Sequence, residues 1–587
     1  MTSIPALSTS SYPLGRSAAD LISIRGQIDS LSAQLSSGRI AETFGGLGIG
    51  RSDSLNTRAI LSALGGYDAA AASTQPRLQL TSASLTQIST ATATLRNALT
   101  SNVTDSGSAT AIARSSLEST IAALNQQING QYVFGGRNDR GAPVASADIL
   151  LDGDASDPAK PLAGLRTLVA EQIKADKGVG TGRLTISNPT SISVQVREDA
   201  DAGARANFGF TLAGAPSASG AFATIGYSAG IVEGAIPRFA QAPRATDHFR
   251  VVVNQPAGGQ KIYDLTGADL ADISSAGNAA SSLLALIGNG KIASVQSATP
   301  PGLSASFANG SAVGTFTINV ATQPVKGDLV SIKLALRDGS TTTLMLQAQP
   351  NAKPGSTSEF AIGATQAETA QNLADTLRRA VSLASETVLA ASSTVRATQD
   401  FFAGQSTTGF APRRIDFTSS TPAYLQTPSA STVLWYRGEP SSVDPRNSIV
   451  VRTGEASALA IGARANEEPL RAALVGSAAI VVSDLKAGTT ETAERWKALA
   501  TRSVSVMPSR EAMEGMSNEF GLAQTALSET QAENKVNRAI HQSHLAHLES
   551  ASTETVIAEL LSLQNRLQAS YQVTAMISKL SLVNYLR

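Results

Sequence analysis

The amino-acid sequence predicts an α+β fold in which long helices at both ends flank a β-rich middle region. Near both ends, apolar residues recur at spacings of three and four, the pattern of a coiled-coil contact face. Between residues 142 and 490, apolar and polar residues alternate instead, as they do in strands. We therefore expect the terminal segments to pair as a long antiparallel α-helical coiled-coil rod, with the middle region inserted as one or more outboard domains.

The first helix is predicted from an apolar stripe at Leu21, Ile24, Ile28, Leu31 and Leu35. Glycine at position 38, in the stretch QLSSGRI, is typical of the residue that follows a helix C-terminus. A glycine-rich break, GGLGIG at 45–50, then separates this helix from the next. We interpret residues 1–45 as an N-terminal assembly helix that pairs with residues 551–587.

Two further helices are predicted between residues 46 and 141, and we expect them to pair with residues 491–550. The first spans about Ser54 to Leu99, with Pro76 as a possible kink. The second follows Ser108 and is predicted to end at Asn129-Gly130, again a sequence favoured after a helix.

The middle region, residues 142–490, contains several alternating segments, among them 192–196, 249–253 and 316–320. Residues 332–336 and 343–346 flank Asp338-Gly339, which predicts a β-hairpin. One helical stretch is predicted in this region, from about Thr365 to Thr398.

Towards the C-terminus, Met513, Phe520 and Leu527 begin a long helical stripe that fades into a polar stretch near Asn534. The final helix is apolar on more than one face in its last turns, which predicts burial against other subunits. The predicted subunit-interface residues on the two terminal helices are Leu21, Ile24, Ile28, Leu31, Leu35, Leu560, Leu563, Leu567, Val573, Ile577, Leu580 and Val583.

Composition argues against several classes of function. Lysine plus arginine equals aspartate plus glutamate at 46 each, so no net charge directs the chain to nucleic acid or to an anionic membrane surface. The sequence has no cysteine, which excludes disulfides, cysteine zinc sites and thiol catalysis. It also lacks a run of about 18 apolar residues and a basic-then-apolar N-terminal leader, so we expect neither membrane insertion nor a cleaved signal peptide.

Two patterns suggest chemistry only superficially. His541, His544 and His547 recur every three residues on one predicted helix, but a zinc site needs convergent ligands, and a polar helix face is the simpler interpretation. The glycine run at 45–50 has no preceding strand and no lysine, so it is a linker rather than a phosphate-binding loop. We expect no metal, no cofactor and no enzymatic activity.

Three stretches resemble the bacterial flagellin family: QLSSGRI at 34–40, LLSLQNRLQASYQVTAMISKLSLVNYLR at 560–587, and NGQYVFGGRNDRGAPV at 129–144. The resemblance covers about the first 140 and the last 80 residues. The third stretch is most similar to the hook–filament junction subunits (hook-associated proteins) of this family, with filament flagellin as the alternative. The glycine run at 45–50 departs from the acidic pair usual in the family.

This resemblance implies a structural subunit of the flagellum that is exported unfolded through the flagellar secretion channel and located outside the cell. It implies hook-associated proteins and flagellin as partners, assembly into a homo-oligomeric ring or filament, and a possible export chaperone. The alternative from another class is a secreted coiled-coil adhesin whose β-rich insert binds a surface ligand.

Overall fold

The computed structural model describes residues 12–101, 106–231, 234–308, 312–405, 410–440, 443–483, 485 and 489–585. Within helices, the side chains of residues 12–17, 490, 577, 578 and 580–585 lie outside this description. The described chain is a mixed α and β structure with long helices towards both ends, which confirms the mixed class predicted from the sequence. The coiled-coil rod stays a prediction.

The α-helices in the described residues are numbered in chain order. They are α1 (Tyr12–Ser37), α2 (Arg51–Ser101), α3 (Ser106–Leu124), α4 (Ala147–Asp152), α5 (Leu165–Lys177), α6 (Ala202–Asn207), α7 (Ala276–Ile287), α8 (Gln366–Ala384), α9 (Ala390–Ala403), α10 (Glu468–Ser483), α11 (Thr490–Val506), α12 (Arg510–Glu549) and α13 (Thr553–Tyr585). A π-helical turn, Ser385–Leu389, joins α8 to α9, and 3₁₀ turns occur at Phe44–Gly50, Gly267–Asp269 and Pro445–Ser448.

The strands lie between α3 and α10. They are β1 (Gln127–Ile128), β2 (Gln131–Tyr132), β3 (Gly153–Asp154), β4 (Leu162–Ala163), β5 (Thr185–Ser187), β6 (Ser193–Arg197), β7 (Thr211–Leu212), β8 (Ser217–Ala218), β9 (Ala223–Ser228), β10 (Ile236–Phe239), β11 (His248–Asn254), β12 (Gln260–Thr266), β13 (Lys291–Ser297), β14 (Leu303–Ser306), β15 (Thr315–Val320), β16 (Leu329–Ala335), β17 (Thr341–Gln349), β18 (Glu359–Ala361), β19 (Ile415–Asp416), β20 (Ala423–Tyr424), β21 (Val450–Arg452) and β22 (Ala458–Ala460).

The chain divides into two compact units. The first unit comprises Met1–Gln75, Val451–Leu459 and Gln524–Arg587, so it contains both terminal helices. The second unit comprises Pro76–Val450 and Ala460–Ala523, and it contains the sheets.

The largest core of the second unit lies where α8 covers two sheets. One sheet has the order β5-β6-β15-β9, and the other has the order β18-β17-β16-β7, with β8 also paired to β16. Alternate residues of β15, Phe316 and Ile318, are buried against apolar residues of α8 such as Leu373 and Leu377. The side chain of Thr365 accepts a hydrogen bond from the backbone N–H of Glu368 and so caps the N-terminus of α8. The helix predicted for residues 365–398 is thereby confirmed, as are the strands predicted at 192–196 and 316–320.

A second core in the same unit forms around β11, the central strand of the sheet β12-β11-β13. Phe249, Val251 and Val253 face this core together with Leu283 of α7. Because side chains alternate along a strand, Arg250 points to the opposite face, where it is fully buried. It donates to Asp264 at 2.6 and 3.1 Å and to the carbonyl of Ala403, at the end of α9, at 2.8 Å.

The middle region is more helical than the sequence indicated. Besides the predicted helix, residues 142–490 contain α5, α7 and α10. Helix α10 was not predicted from the sequence. Its sequence, EPLRAALVGSAAIVVS, is buried on nearly every side, so it lacks the polar face that marks an amphipathic helix. Residues 46–141 and 491–550 meet through ion pairs between α2 and α12, Arg58 with Glu549 and Asp68 with Arg538, and their full pairing stays a prediction. Of the other helices, α3 packs against α10, while α11 packs against α9 and α10. Small residues of α3, such as Ala109 and Ala113, are fully covered there.

The predicted end of the third helix at Asn129-Gly130 is wrong. Helix α3 ends at Leu124, and Asn129 and Gly130 form the two-residue turn of the hairpin β1–β2. Both residues have positive φ, 51° and 78°, the backbone that this kind of tight hairpin turn requires. The Asn-Gly sequence is favoured both in hairpin turns and after helices. Here the short strands β1 and β2 pair on either side of it, so it forms a hairpin turn.

Candidate functional site

The two terminal helices lie side by side in the first unit. Helix α1 packs against α13, and an antiparallel bridge joins Arg39 to Ser550 just beyond the helix ends. The amide of Ile40 donates to the carbonyl of Glu549 at 2.8 Å, and the amide of Ala551 donates to the carbonyl of Gly38 at 3.0 Å. Gly38 has φ of +67° and donates to Gln34 at 2.8 Å, so it ends α1 as its position in the sequence predicted.

On α1, the predicted stripe contains the most buried apolar residues of the helix. Ile24 and Leu31 are buried, each with 9% of its surface exposed, while Leu21 and Ile28 are half-buried. Leu35, near the end of the stripe, is 41% exposed. The stripe is therefore partly covered within a single chain.

On α13, the residues of the predicted stripe differ in how much of their surface is exposed. Leu560, Leu563 and Leu567 are half-buried, and the neighbouring Val556 is buried. Val573 is half exposed. The remaining predicted residues, Ile577, Leu580 and Val583, are on the helix, but their side chains lie outside the described residues. Whether any residue of this set contacts another subunit stays a prediction.

Large apolar side chains are also exposed on the two terminal helices. Successive helix residues are about 100° apart, so the exposed residues of α13 point in several directions. We call this set the outer apolar surface; it consists of Ile22, Ile557, Leu561, Tyr571, Val573 and Met576. Ile22 is the most exposed of these, at 74%. Exposed apolar side chains such as these can be buried further when a partner covers them.

A polar cluster lies at the end of α12, next to the bridge between the terminal segments. Arg58 of α2 donates to Glu549 through Nε at 2.9 Å and through Nη2 at 2.5 Å, and the hydroxyl of Ser54 also donates to Glu549. Hydrogen bonding from Arg58 and then from Ser54 lowers the pKa of Glu549 below its ordinary value. A second ion pair joins Asp68 of α2 to Arg538 of α12, so these two helices run antiparallel in the first unit.

Replacing Glu549 by glutamine should loosen the bridge at the ends of α1 and α13. Because the folded pKa is lowered, the contribution of the carboxylate is present above the ordinary glutamate pKa and is lost as the pH falls through the folded pKa. At pH 7 we expect hydrogen-exchange protection of the Ile40 and Ala551 amides to fall about two- to fivefold, as for a partly exposed ion pair.

The matched control for this prediction is Glu554→Gln, which removes an exposed carboxylate from the first turn of α13. The wild type should lose the same protection as the pH falls through the lowered pKa of Glu549, whereas Glu549→Gln should show little further change. Equal pH dependence in wild type and Glu549→Gln would show that this carboxylate does not hold the bridge.

The polar stretch around Asn534 has a structural reason that periodicity alone does not reveal. Asn534 is buried on α12, and its side-chain amide donates to the carbonyl of Thr453 at 2.9 Å. Thr453 belongs to a turn closed by its own amide donating to Ser457 at 3.0 Å. A buried carbonyl needs a donor, so the apolar stripe of α12 is interrupted where this turn contacts the helix.

The three histidines that recur on one helix do not form a metal site with other described side chains. His541, His544 and His547 lie on α12, and the last two are exposed. Among the described residues, no three His, Cys, Asp or Glu side chains are grouped so that they could hold a metal ion. None of the described helices is both long enough and apolar enough to cross a membrane.

No protein-family model matches this chain, and no curated protein matches it either. The resemblance to the flagellin family therefore depends on the three sequence stretches described above.

Proposed function

We propose that this chain is a structural subunit of the bacterial flagellum, of the kind that joins the hook to the filament, and that it assembles through α1 and α13. The observation that carries the proposal is the outer apolar surface, which lies on the same terminal segments that resemble flagellins. A subunit whose terminal helices pair within the chain, yet keep apolar residues exposed on other faces, is suited to further burial in an assembly.

The charge of the two helices favours neighbouring copies of related subunits as the occupants of this surface. Helix α1 contains two arginines and two aspartates, and α13 contains two glutamates, one arginine and one lysine. Each helix is thus neutral and sparsely charged, so copies meeting through these helices do not repel one another. Assembly would be driven mainly by burial of apolar surface.

The stretch at 129–144 supports the junction type over the filament type through its resemblance alone. It forms the hairpin β1–β2 and a tight turn in which Val133 and Phe134 are fully buried. Gly136 has φ of +64°, and a side chain at this position would collide with Glu439. These contacts explain the glycine at position 136 and the buried Phe134. They apply equally to a junction subunit and to a filament subunit.

Deleting the gene should leave cells with hooks and with secreted flagellin that fails to attach. A junction subunit forms a short ring between different neighbours, whereas a contact that repeats without closing produces a fibre. We therefore expect mass spectrometry of sheared wild-type filaments to find this chain in few copies, and electron microscopy of the mutant to show bare hooks.

Three other results would change the conclusion. If the chain is the main protein of sheared filaments, it is the filament flagellin and the junction assignment is wrong. If the deletion strain makes normal flagella, the flagellar proposal itself is wrong. Normal flagella together with loss of attachment to surfaces would instead favour the adhesin alternative.

A further inference from the structure

The second unit contains a cavity of about 530 Å³ lined by four arginines, Arg337, Arg396, Arg413 and Arg502, and by one aspartate, Asp338. Apolar side chains from β11, β12 and α9, such as Val252, Ile262 and Val395, form part of its wall. A cavity of this size is within the range that small organic ligands occupy.

Three of the four arginines have a carboxylate partner. Arg396 lies 3.5 Å from Asp176, and Arg413 donates through Nε to Asp400 at 2.8 Å. Arg502 donates through Nε to Asp338 at 2.7 Å and through Nη2 to Ser340 at 2.8 Å. The charges of these three side chains are therefore compensated within the protein.

Arg337 differs from the other three. It is buried, with 7% of its surface exposed, and it forms no ion pair with a carboxylate among the described residues. It donates to the backbone carbonyl of Arg205, while its Nε has no hydrogen-bond partner in the described structure. Burial, and next the positive charge of Arg396, lower the pKa of Arg337 to about 10.

The carboxylates that act on Arg337 from a distance are engaged elsewhere. Glu198 accepts the amides of Leu212 at 2.7 Å and Gly314 at 3.3 Å. Asp176 accepts the amide of Gly209 at 2.9 Å and the hydroxyl of Ser393 at 2.7 Å. Neither carboxylate forms a hydrogen bond or an ion pair with Arg337, so their charges act on it only from a distance, and its guanidinium has no carboxylate in direct contact among the described residues.

The local fold holds Arg337 beside the cavity. It lies in the turn between β16 and β17, the hairpin predicted from Asp338-Gly339, where Gly339 has φ of +86°. Asp338 accepts the amide of Ser340 at 2.9 Å and is held in turn by Arg502 of α11. The turn is thus fixed on both sides, and Arg337 is presented to the cavity by a rigid segment.

We propose that this cavity binds a small organic anion, whose carboxylate or phosphate group pairs with Arg337. A guanidinium with no carboxylate in direct contact suits one anionic group, because arginine offers N–H donors that match carboxylate and phosphate oxygens. The apolar wall suits the rest of such a molecule, and Gln260 and Gln399 supply amides along the same wall. This binding is independent of how the terminal helices assemble.

The test uses the full chain and two probes, inorganic phosphate and succinate, each compared with sodium chloride at equal ionic strength. At a probe concentration well above its Kd, we expect the thermal midpoint of unfolding to rise by about 2–5 °C beyond the chloride control. A response to phosphate alone or to succinate alone identifies which anionic group the site accepts. No rise with either probe would overturn the proposal.

Two variants assign the effect to Arg337. Arg337→Met and Arg337→Gln should both lose the anion-dependent rise, whereas Arg510→Met, at an arginine 83% exposed in the same unit, should keep it. Arg337→Gln can still donate to the Arg205 carbonyl, so it tests the charge even if the methionine variant fails to fold. A full anion response in the glutamine variant would overturn the proposal.

Discussion

Replacing Leu561 by aspartate should abolish incorporation of the chain into flagella while leaving the folded monomer intact. Leu561 is 54% exposed on α13, so the isolated chain tolerates a carboxylate there. In an assembly that covers this face, the change removes about 1.5–3 kcal/mol of apolar burial and adds a charge that must be desolvated. We expect incorporation to fall at least about 100-fold, measured by immunoblotting of sheared flagella, with an unchanged circular dichroism spectrum.

The matched control is Leu522→Asp, which makes the same change at a leucine 72% exposed on α12 in the second unit. This variant should assemble normally. Leu567→Asp is a useful third variant, because Leu567 is half-buried and a carboxylate there should loosen α13 even in the monomer. Wild-type incorporation of Leu561→Asp would contradict a role for the outer apolar surface in assembly.

Replacing Arg250 by alanine should destabilise the second unit by about 3–5 kcal/mol, the usual effect of removing one partner from a buried ion pair. Arg250 is fully buried and holds together three segments through Asp264, the carbonyl of Ala403 and the carbonyl of Ala411. Its removal leaves Asp264 and the nearby Asp400, 3.8 Å away, with less compensation for their charge. Urea denaturation followed by tryptophan fluorescence reports this change, since Trp435 and Trp496 are both in this unit.

Arg510→Ala serves as the control, because Arg510 is exposed and paired only with Glu514 one turn along α12. It should leave the free energy of unfolding nearly unchanged. If Arg250→Ala also stays below about 1 kcal/mol, the buried network would not be a main support of this unit.

Arg250 and Arg337 differ in their partners: a carboxylate pairs directly with Arg250 and none pairs directly with Arg337 among the described residues. Both are buried arginines, and nothing in the local sequence distinguishes FRVVV at 249–253 from LRDGS at 336–340 as a place for a paired or an unpaired charge. Asp264, the partner of Arg250, is contributed by the neighbouring strand through the register of β11 and β12. The candidate anion site could therefore not be predicted from the sequence.

The terminal helices illustrate the part that could be predicted. The spacing of Leu21, Ile24, Ile28 and Leu31 identified the face of α1 that is covered, because 3.6 residues per turn place such residues on one side. Gly38 and Thr365 marked helix ends for reasons confined to a few neighbouring residues, and Asp338-Gly339 marked its hairpin in the same way. That Leu561, Val573 and Met576 stay exposed on α13 could be established only once one partner helix was in place, although Val573 was already predicted as an interface residue.

By itself, the sequence determined the features that depend on short-range geometry: the helical stripes at both ends, the alternating strands and several caps and turns. Tertiary structure decided the features that depend on distant segments. It placed α10 against α3, made Asn129-Gly130 a hairpin turn, interrupted α12 at Asn534 for the carbonyl of Thr453, and left Arg337 with no carboxylate in direct contact among the described residues. The physical reason is that periodicity and capping depend on neighbours within a few residues. The partner of a buried polar group instead depends on how segments far apart in the sequence pack together.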